Sequence, residues 1–488
     1  MNQNKTEVEQ EGFRRSLGLL DATMLVSGSM IGSGIFIVAA DMGRTVGSAG
    51  WLIFLWVLTG IITIFAALSY GELAGMMPRA GGQFVYIRRA WGDFTAFLYG
   101  WSVFTVVQTG LIAAVGVAFA KYMGYFFPMF DAKIILFSVG NFHLNASQPL
   151  AIALIILLTF INSRGVQNGK MIQLIFTLAK LIALFALIIL GLFFASKSYL
   201  SENFTNAWAG SLTAKNNNGI WETHDIGGTA LILALGTAII GPLFSSDSWN
   251  NVTFIAGEIK NPRRNIPLSL FLGTVIVITL YILANIAYLN LLPLHGIPNG
   301  AEVVDRGIMF ADSDRVGTAA GFQIFGNIAA TIMAALIIVS TFGCNSGLIL
   351  SGARVYYAMS QAGLFFKSSG KLNRFDVPGN ALWIQCFWAS LLCVSGTYGD
   401  LLDYLTFVSL IFYVVTIAGI FVLRRTEPDA ERPYKVPLYP FIPIIYIILA
   451  ISICLILLYT KTANAGMGLF IVLLGVPFYY VNKRSQAA

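Results

Sequence analysis

The chain has 488 residues, of which 57% are hydrophobic and 11% are charged, and its mean hydropathy is +0.75. Soluble domains carry about 25% charged residues, so this composition excludes a soluble domain and indicates a polytopic membrane protein. The net charge of +7 comes from basic residues in short loops between apolar segments, which is a topology signal and implies no nucleic-acid partner.

The apolar residues group into spans, most of which reach the roughly 20 residues that a helix needs to cross a bilayer. We count twelve such spans, near residues 18–41, 50–76, 93–124, 149–163, 171–195, 226–256, 267–291, 318–358, 379–397, 401–423, 438–459 and 465–481. Lys and Arg are most frequent on the side that holds both termini, so the positive-inside rule predicts that both termini are cytoplasmic. We therefore expect an all-α membrane protein, with a tail over 1–16 and a single transmembrane domain over 17–485.

The first span is interrupted at its middle by the sequence Gly28-Ser29-Met30-Ile31-Gly32-Ser33-Gly34. Unwound backbone at membrane depth is tolerated only where it lines a protein-walled cavity, and discontinuous helices of this kind hold substrate in many secondary transporters. Close helix packing through small residues is the alternative explanation for one such span. A nucleotide-binding loop is excluded because no strand precedes the glycines and no Lys-Ser/Thr pair follows them.

The sixth span carries a second interruption, with Gly236, Gly241 and Pro242 followed by Ser245-Ser246-Asp247-Ser248. Paired breaks in corresponding spans of two halves indicate an inverted-repeat transporter whose site lies near the midplane. This pairing favours a cavity over packing. We expect repeat one at about 17–196, repeat two at about 226–424, and two peripheral helices at about 436–482.

At these two breaks the sequence resembles the amino acid–polyamine–organocation transporters, and in particular the L-type amino acid transporter branch. The resemblance rests on Gly32-Ser33-Gly34-Ile35-Phe36, on the run 78–86 (PRAGGQFVY), on the run 244–251 (FSSDSWNN) and on the run 257–267 (GEIKNPRRNIP). It implies a leucine-transporter-type fold of five plus five helices, with helices 1 and 6 broken, and alternating-access transport of amino acids. Members of the branch often have Tyr at the position of Ser246 and Gly at that of Ser248.

The resemblance also implies a substrate site at the two breaks. The substrate carboxylate would meet the N–H groups and the hydroxyl around Ser33 and Gly34, and its ammonium would meet carbonyls near Met30 and Phe244, and possibly Asp247. Phe244 matches the gating aromatic residue of the family. The candidate substrate-binding residues are Ser29, Met30, Ile31, Gly32, Ser33, Gly34, Phe244, Ser245, Ser246 and Asp247.

Lys180 lies nine residues from one end of the fifth span and fifteen from the other, roughly 14 Å or more from either interface. A lysine at that depth needs an interior partner or must be neutral. Sodium-independent members of the family carry a lysine here, so the resemblance implies that its ammonium contacts first-span carbonyls and hydroxyls of Ser340 and Thr341. Sodium coupling is then not expected. A purely structural lysine, exchange and proton coupling all remain open.

Asp247 is the acidic residue placed at a break. It could bind a cationic side chain, hold the substrate ammonium, take up a proton, or only cap the half helix that follows. Glu72 and Glu258 lie near the cytoplasmic ends of their spans and are interpreted as inner-gate or loop-pairing residues, with Glu258 a candidate gating residue.

Nothing in the sequence indicates catalysis, a metal site or a cofactor, because no histidine and no acid–base cluster falls within the spans. All four cysteines fall within spans, so no covalently bound glycoprotein subunit is expected. We predict a sodium-independent amino acid transporter, an exchanger, uniporter or proton symporter, in a bacterial cytoplasmic membrane. The alternatives are a sensor or channel on the same fold, or a polyamine or organic-cation transporter.

Overall fold

Long apolar helices dominate the chain, as the twelve hydrophobic spans predict. The computed structural model describes residues 13–131, 134–139, 142–395 and 398–487. In chain order its helices are α1 (Leu19–Met30), α2 (Val38–Val46), α3 (Ala49–Met76), α4 (Gln83–Trp91), α5 (Asp93–Ser102), α6 (Gln108–Phe126), α7 (Ser147–Ser163), α8 (Val166–Phe193), α9 (Leu200–Asn203), α10 (Gly228–Ala238), α11 (Ile240–Ser245), α12 (Asn251–Phe254), α13 (Pro262–Leu291), α14 (Val303–Arg306), α15 (Val316–Phe325), α16 (Ala329–Gln361), α17 (Gly379–Ser395), α18 (Tyr398–Thr426), α19 (Phe441–Thr460) and α20 (Thr462–Ala487).

The described helices support a multi-pass membrane protein. In that part of the chain, nine helical stretches are long and apolar enough to cross a bilayer, and α1, α7 and α17 are shorter apolar helices. These twelve elements correspond to the twelve predicted spans. The number of crossings itself remains a prediction, as does the inverted repeat. Residues 1–12 of the predicted tail lie outside the described residues.

Both predicted breaks are present as interruptions of the helices. The first separates α1 from α2 and contains a 3-10 segment at Gly34–Phe36. The second follows α11, where Ser248 adopts a φ of +67° before α12 begins. A positive φ favours glycine, so the serine at this position strains the backbone at the break.

The third and eighth spans, whose length in the sequence allows a tilt or a break, are also interrupted. The third span contains a π-helical segment, Val103–Val107, between α5 and α6. The eighth is divided at Gly326, which has a φ of +61° and separates α15 from α16. A residue in the left-handed region cannot continue an α-helix, so one glycine suffices for the division.

Two of the predicted outer loops contain a short antiparallel hairpin, a local departure from the all-α prediction that leaves the candidate membrane spans helical. Strand β1 (Ile135–Val139) pairs with β2 (Phe142–Asn145), and β3 (Ser211–Lys215) pairs with β4 (Trp221–Asp225). Non-helical backbone must satisfy its N–H and C=O groups, and a hairpin does so within the loop. The second hairpin lies in the connection between α9 and α10, and it packs on α2.

The first break lies among three long helices. The half helix α1 packs against α8, α13 and α16, and α13 also packs extensively on α3. Side chains from these helices therefore reach the broken backbone from several directions.

Candidate functional site

The carbonyl groups released by the first break are bound by side chains of two neighbouring helices. The ammonium of Lys180, on α8, donates to the carbonyl of Gly28 and, over 2.7 Å, to that of Ile31. The Lys180 side chain is buried, as a lysine satisfied by interior carbonyls must be. The predicted contact between this lysine and first-span carbonyls is thus present in the structure.

Helix α16 also binds carbonyl groups of the first break. The Ser340 hydroxyl is 3.1 Å from the carbonyl oxygens of both Ile31 and Gly32. Thr341, predicted to act beside Ser340, instead donates to Ile337 O within its own helix over 2.7 Å. Lys180 and Ser340 therefore both donate to the Ile31 carbonyl. The Thr341 hydroxyl donates within α16 rather than to the break.

Cys344 is a contact that sequence reasoning missed. Its thiol donates to the carbonyl oxygen of Ser29 over 3.1 Å, and its side chain is buried. Cys344 lies one helical turn from Ser340, so a polar stripe on α16 facing the break was the available signal.

Tyr281 on α13 joins the two breaks, and sequence reasoning missed it as well. Its hydroxyl oxygen is 3.1 Å from the carbonyl of Met30, at the end of α1, and 3.1 Å from the carbonyl of Ser245, at the end of α11. The single hydroxyl proton is shared between two acceptors. The ends of both half helices thus meet at one side chain.

The breaks also touch directly. A β-carbon at Gly34 would lie 2.2 Å from Ser245 Oγ and 2.9 Å from Ser245 Cβ, distances that no side chain tolerates. At Gly32 the nearest atom would be Cys344 Sγ at 3.8 Å, an ordinary contact. Gly34 is therefore a close-approach point between the two interrupted segments.

The remaining candidate residues of the first break and the start of the second are enclosed. Ser33 is buried, and Phe244 is partly buried against the core. The hydroxyls of Ser29 and Ser246 are buried and have no hydrogen-bond partner among the described residues. Buried hydroxyls normally find a partner, so these two are available to a bound molecule.

Asp247 faces away from the first break. The Tyr413 hydroxyl, on α18, donates to one of its carboxylate oxygens. The adjoining cavity is lined by α5, α6, the second break and α18, including Gln108 and Asn251, and no residue of the first break lines it. The structure thus places Asp247 beside the gap between α5, α6 and α18, while Ser33 and Gly34 lie elsewhere.

An ion pair and backbone hydrogen bonds close the predicted inner side of the breaks. Glu258, expected to be a gating residue, is paired with Arg354 at 2.9 Å, and both side chains are at most 1% exposed. Main-chain bonds add to this closure: the N–H groups of Ser16 and Leu17 donate to Glu258 O, and the N–H of Lys260 donates to Leu17 O. Glu72, the other predicted inner residue, is bound by Arg424 at 2.7 Å.

Arg44 on α2 closes the predicted outer side. It donates to the carbonyl of Met309, pairs with Asp314 at 2.7 Å and lies over the Trp221 ring at 5.7 Å. These partners come from the outer loop after α13 and from the β3–β4 hairpin. With both sides closed, the two breaks are sealed within the protein.

Comparison of the sequence with known proteins shows the family. The sequence model of the family described as "Amino acid permease" matches residues 17–478. The chain belongs to the amino acid permease family. It is 30% identical over 486 residues to the serine/threonine exchanger SteT of Bacillus subtilis strain 168, covering 98% of this chain and 99% of the relative.

Two mouse amino acid transporters are also similar to this permease. The large neutral amino acids transporter small subunit 2 is 30% identical over 475 residues, covering 97% of this chain and 82% of the relative. The b(0,+)-type amino acid transporter 1 is 28% identical over 489 residues, covering 98% and 90%. The family and these relatives are transporters and not enzymes, which confirms the predicted superfamily, amino acid transport and the absence of an enzyme activity.

Proposed function

We propose that this permease exchanges amino acids across the membrane by alternating access, without sodium. The observation that supports the proposal is the Lys180 ammonium, buried against the carbonyls of Gly28 and Ile31. A sodium ion at these oxygens would lie within a few ångströms of a fixed positive charge, and the repulsion between like charges is strong where water is excluded. Lys180 therefore takes the place of a coupling cation.

The description of one relative favours exchange over uniport and proton symport. The Bacillus protein is described as a serine/threonine exchanger, and it is similar to this chain over almost its whole length. In our proposal the bound amino acid, rather than an ion gradient, carries the transporter between its two orientations.

The proposed binding site joins the two breaks. The first N–H groups of the 3-10 segment at Gly34–Phe36 have no acceptor within that segment, so a substrate carboxylate is bound there together with the Ser33 hydroxyl. The substrate ammonium is bound at carbonyls near Met30 and Phe244. Phe244 closes over the substrate, and the two halves related by the breaks move against each other.

Alternating access then requires that the two closures open in turn. The Arg44 contacts with Met309 and Asp314 release for access from outside. The Glu258–Arg354 pair and the main-chain bonds of Leu17 release for access from inside. The present arrangement, with both closed, corresponds to an occluded state in this cycle.

Asp247 supports a second element of the proposal, a preference for cationic amino acids. Its carboxylate lies beside a cavity of about 20 Å³ between α5, α6 and α18, which has room for about one water. In our proposal this cavity widens during the transport cycle and admits the side chain of a cationic substrate. The second carboxylate oxygen could then accept from an ammonium or guanidinium group. A neutral substrate gains nothing from this group.

We further propose that the permease lies in a bacterial cytoplasmic membrane with both termini in the cytoplasm. The distribution of Lys and Arg among the loops supports this orientation. The loop after the third span, 125–148, contains no cysteine for a covalent bond to a glycoprotein subunit, so the proposed working unit has none.

The test is uptake of a panel of radiolabelled amino acids by purified protein in liposomes, with and without internal amino acid. We expect uptake to depend on internal amino acid and to be unchanged when choline replaces sodium. Lys180→Ala should lower uptake by about tenfold or more, a loss of at least about 1.4 kcal/mol. Lys170→Ala is the control, because Lys170 lies on the same helix but pairs with Asp21 away from the break.

A strict sodium requirement would overturn the sodium-independent mechanism, and uptake into empty liposomes that an inward proton gradient drives would replace exchange with proton symport. Equal uptake by Lys180→Ala and Lys170→Ala would reduce the buried lysine to a structural role.

A further inference from the structure

An open vestibule rich in arginine lies at the end of the bundle where the chain enters α1. It has a volume of about 1070 Å³ and is lined by the end of α3, by α4 and by the starts of α5 and α13. Six of the lining residues are arginines and one is acidic, Asp93. The arginines of this arginine vestibule are Arg15, Arg79, Arg88, Arg89, Arg263 and Arg264.

Carboxylates neutralise only part of this charge. Arg88 pairs with Asp93 and Arg263 pairs with Glu431, at 2.6 and 2.9 Å, and Arg89 pairs with Glu427. These pairs are solvent-exposed, so each contributes at most about 1 kcal/mol and can be exchanged for another anion. Among the described residues, no carboxylate lies within ion-pair distance of Arg79 or Arg264, and both are exposed.

The mouth of the arginine vestibule lies beside aromatic residues of the kind found at a membrane surface. Phe94 follows the lining residue Asp93 directly, is 38% exposed and contacts the rings of Tyr479 and Tyr480 on α20. Trp91, at the end of α4, is 43% exposed. Tyrosine and tryptophan are enriched at the level of lipid headgroups, so the vestibule opens at that level.

We propose that the arginine vestibule binds the phosphodiester headgroup of an anionic phospholipid from the adjoining leaflet. Arginine presents paired N–H donors that match phosphate oxygens, and basic pockets at helix ends are suited to such headgroups. Topology requires positive charge on one face, but it does not require that arginines from α4, from α13 and from two non-helical segments converge on one open volume. The acyl chains remain in the bilayer beside Phe94, which distinguishes a lipid from a soluble anion.

The test uses the full-length protein in a neutral detergent, with thermal unfolding as the readout. Phosphatidylglycerol should raise the unfolding temperature, whereas phosphatidylcholine and inorganic phosphate at equal concentration should not. In Arg79→Ala/Arg264→Ala the apparent affinity for phosphatidylglycerol should fall by about fivefold for each arginine, as about 1 kcal/mol per basic side chain near a lipid surface requires. Its unfolding in phosphatidylcholine should equal that of the wild type.

Lys367→Ala/Lys371→Ala is the matched control, because it removes two exposed charges outside the vestibule, from the loop between α16 and α17. Equal loss of phosphatidylglycerol binding in both double variants would overturn the proposal in favour of diffuse charge. Equal stabilisation by inorganic phosphate would make the vestibule a site for a soluble anion. A response that appears only after deletion of residues 1–12, which include Glu7, Glu9 and Glu11, would make that acidic segment the occupant instead.

Discussion

Gly32 and Gly34 are two residues apart in the first break, yet their surroundings differ. A methyl group at Gly34 would overlap Ser245, whereas at Gly32 it would meet only Cys344 Sγ at 3.8 Å. We therefore expect Gly34→Ala to force the two breaks apart and to abolish ligand-induced stabilisation, and we expect Gly32→Ala to retain it. Thermal-shift titration with a panel of amino acids measures both.

The same experiment tests the reason for the effect. The sequence analysis expects Gly34 to leave room for a substrate carboxylate, while the structure shows that it makes room for Ser245. If the double variant Gly34→Ala/Ser245→Gly binds amino acids again, Gly34 is needed because it allows the close contact with Ser245. Retained stabilisation in Gly34→Ala alone would show that the close approach is not needed for binding.

Asp247 is the residue on which the proposed preference for cationic amino acids depends. Two unit charges roughly 4 Å apart interact by a few kcal/mol at an effective dielectric constant near 20. Asp247→Asn should therefore weaken competition by lysine and arginine by about one to two orders of magnitude and leave neutral amino acids unchanged. Competition for uptake in liposomes provides the measurement.

Tyr413→Phe is the control for this prediction, since it removes the hydrogen bond to Asp247 and keeps the carboxylate. It should preserve the cationic preference. Identical competition profiles for all amino acids in wild type and Asp247→Asn would leave Asp247 as a capping residue of the half helix.

At the scale of elements, α13 acts on both broken helices through one hydroxyl group. Tyr281→Phe removes the bonds to Met30 O and Ser245 O. Because the hydroxyl shares one proton between its two acceptors, we expect a loss of about 1 kcal/mol, seen as slower exchange and lower apparent affinity. Uptake kinetics in liposomes measure both quantities.

Tyr288→Phe provides the comparison on the same helix, because the Tyr288 hydroxyl is buried without a hydrogen-bond partner among the described residues. Its removal should leave transport unchanged. Similar kinetics in the two variants would mean that the bridge between the breaks does not contribute to transport.

Glycine, serine and proline within apolar spans were enough to predict both breaks, because these residues weaken a helix locally. Tyr281 was beyond the reach of such reasoning. It is one of 19 tyrosines, and its acceptors lie 251 and 36 residues away. The hairpins were missed for a related reason, since their pairing depends on loop backbone rather than on a hydrophobic period.

At the scale of the whole molecule, the predicted inner closure contains a fully buried ion pair, Glu258–Arg354. Removing one partner of such a pair leaves an uncompensated charge, at a cost of about 3–5 kcal/mol. Glu258→Gln should therefore lower the unfolding temperature markedly. Glu431→Gln should change it little, because the Glu431–Arg263 pair is exposed.

Equal shifts in the two variants would show that the Glu258–Arg354 pair contributes no more than a surface contact. The double variant Glu258→Gln/Arg354→Met should recover part of the loss, since no buried charge is then left unpaired. Thermal unfolding of the purified proteins in one detergent gives all three values.

Composition and span count predicted the membrane class, since backbone in lipid leaves helices as the main solution. The position of Lys180 was predictable because a lysine at mid-span must find interior oxygens. Ser340 followed from the family resemblance, whereas Thr341 turned back to Ile337 O because a helical threonine readily bonds the preceding turn. The Arg44 closure joins three distant segments and had no local signal.

The bonds that join Ser16 and Leu17 to the segment 258–260 run entirely between main-chain atoms. Alanine substitutions at these positions would leave these main-chain hydrogen bonds in place. Alanine scanning would therefore not detect this part of the closure. Leu17→Pro does remove one of these hydrogen bonds, because proline has no N–H to donate to Glu258 O. A purification tag is therefore best placed at the C-terminus, because a tag at the N-terminus would lie close in sequence to these main-chain hydrogen bonds.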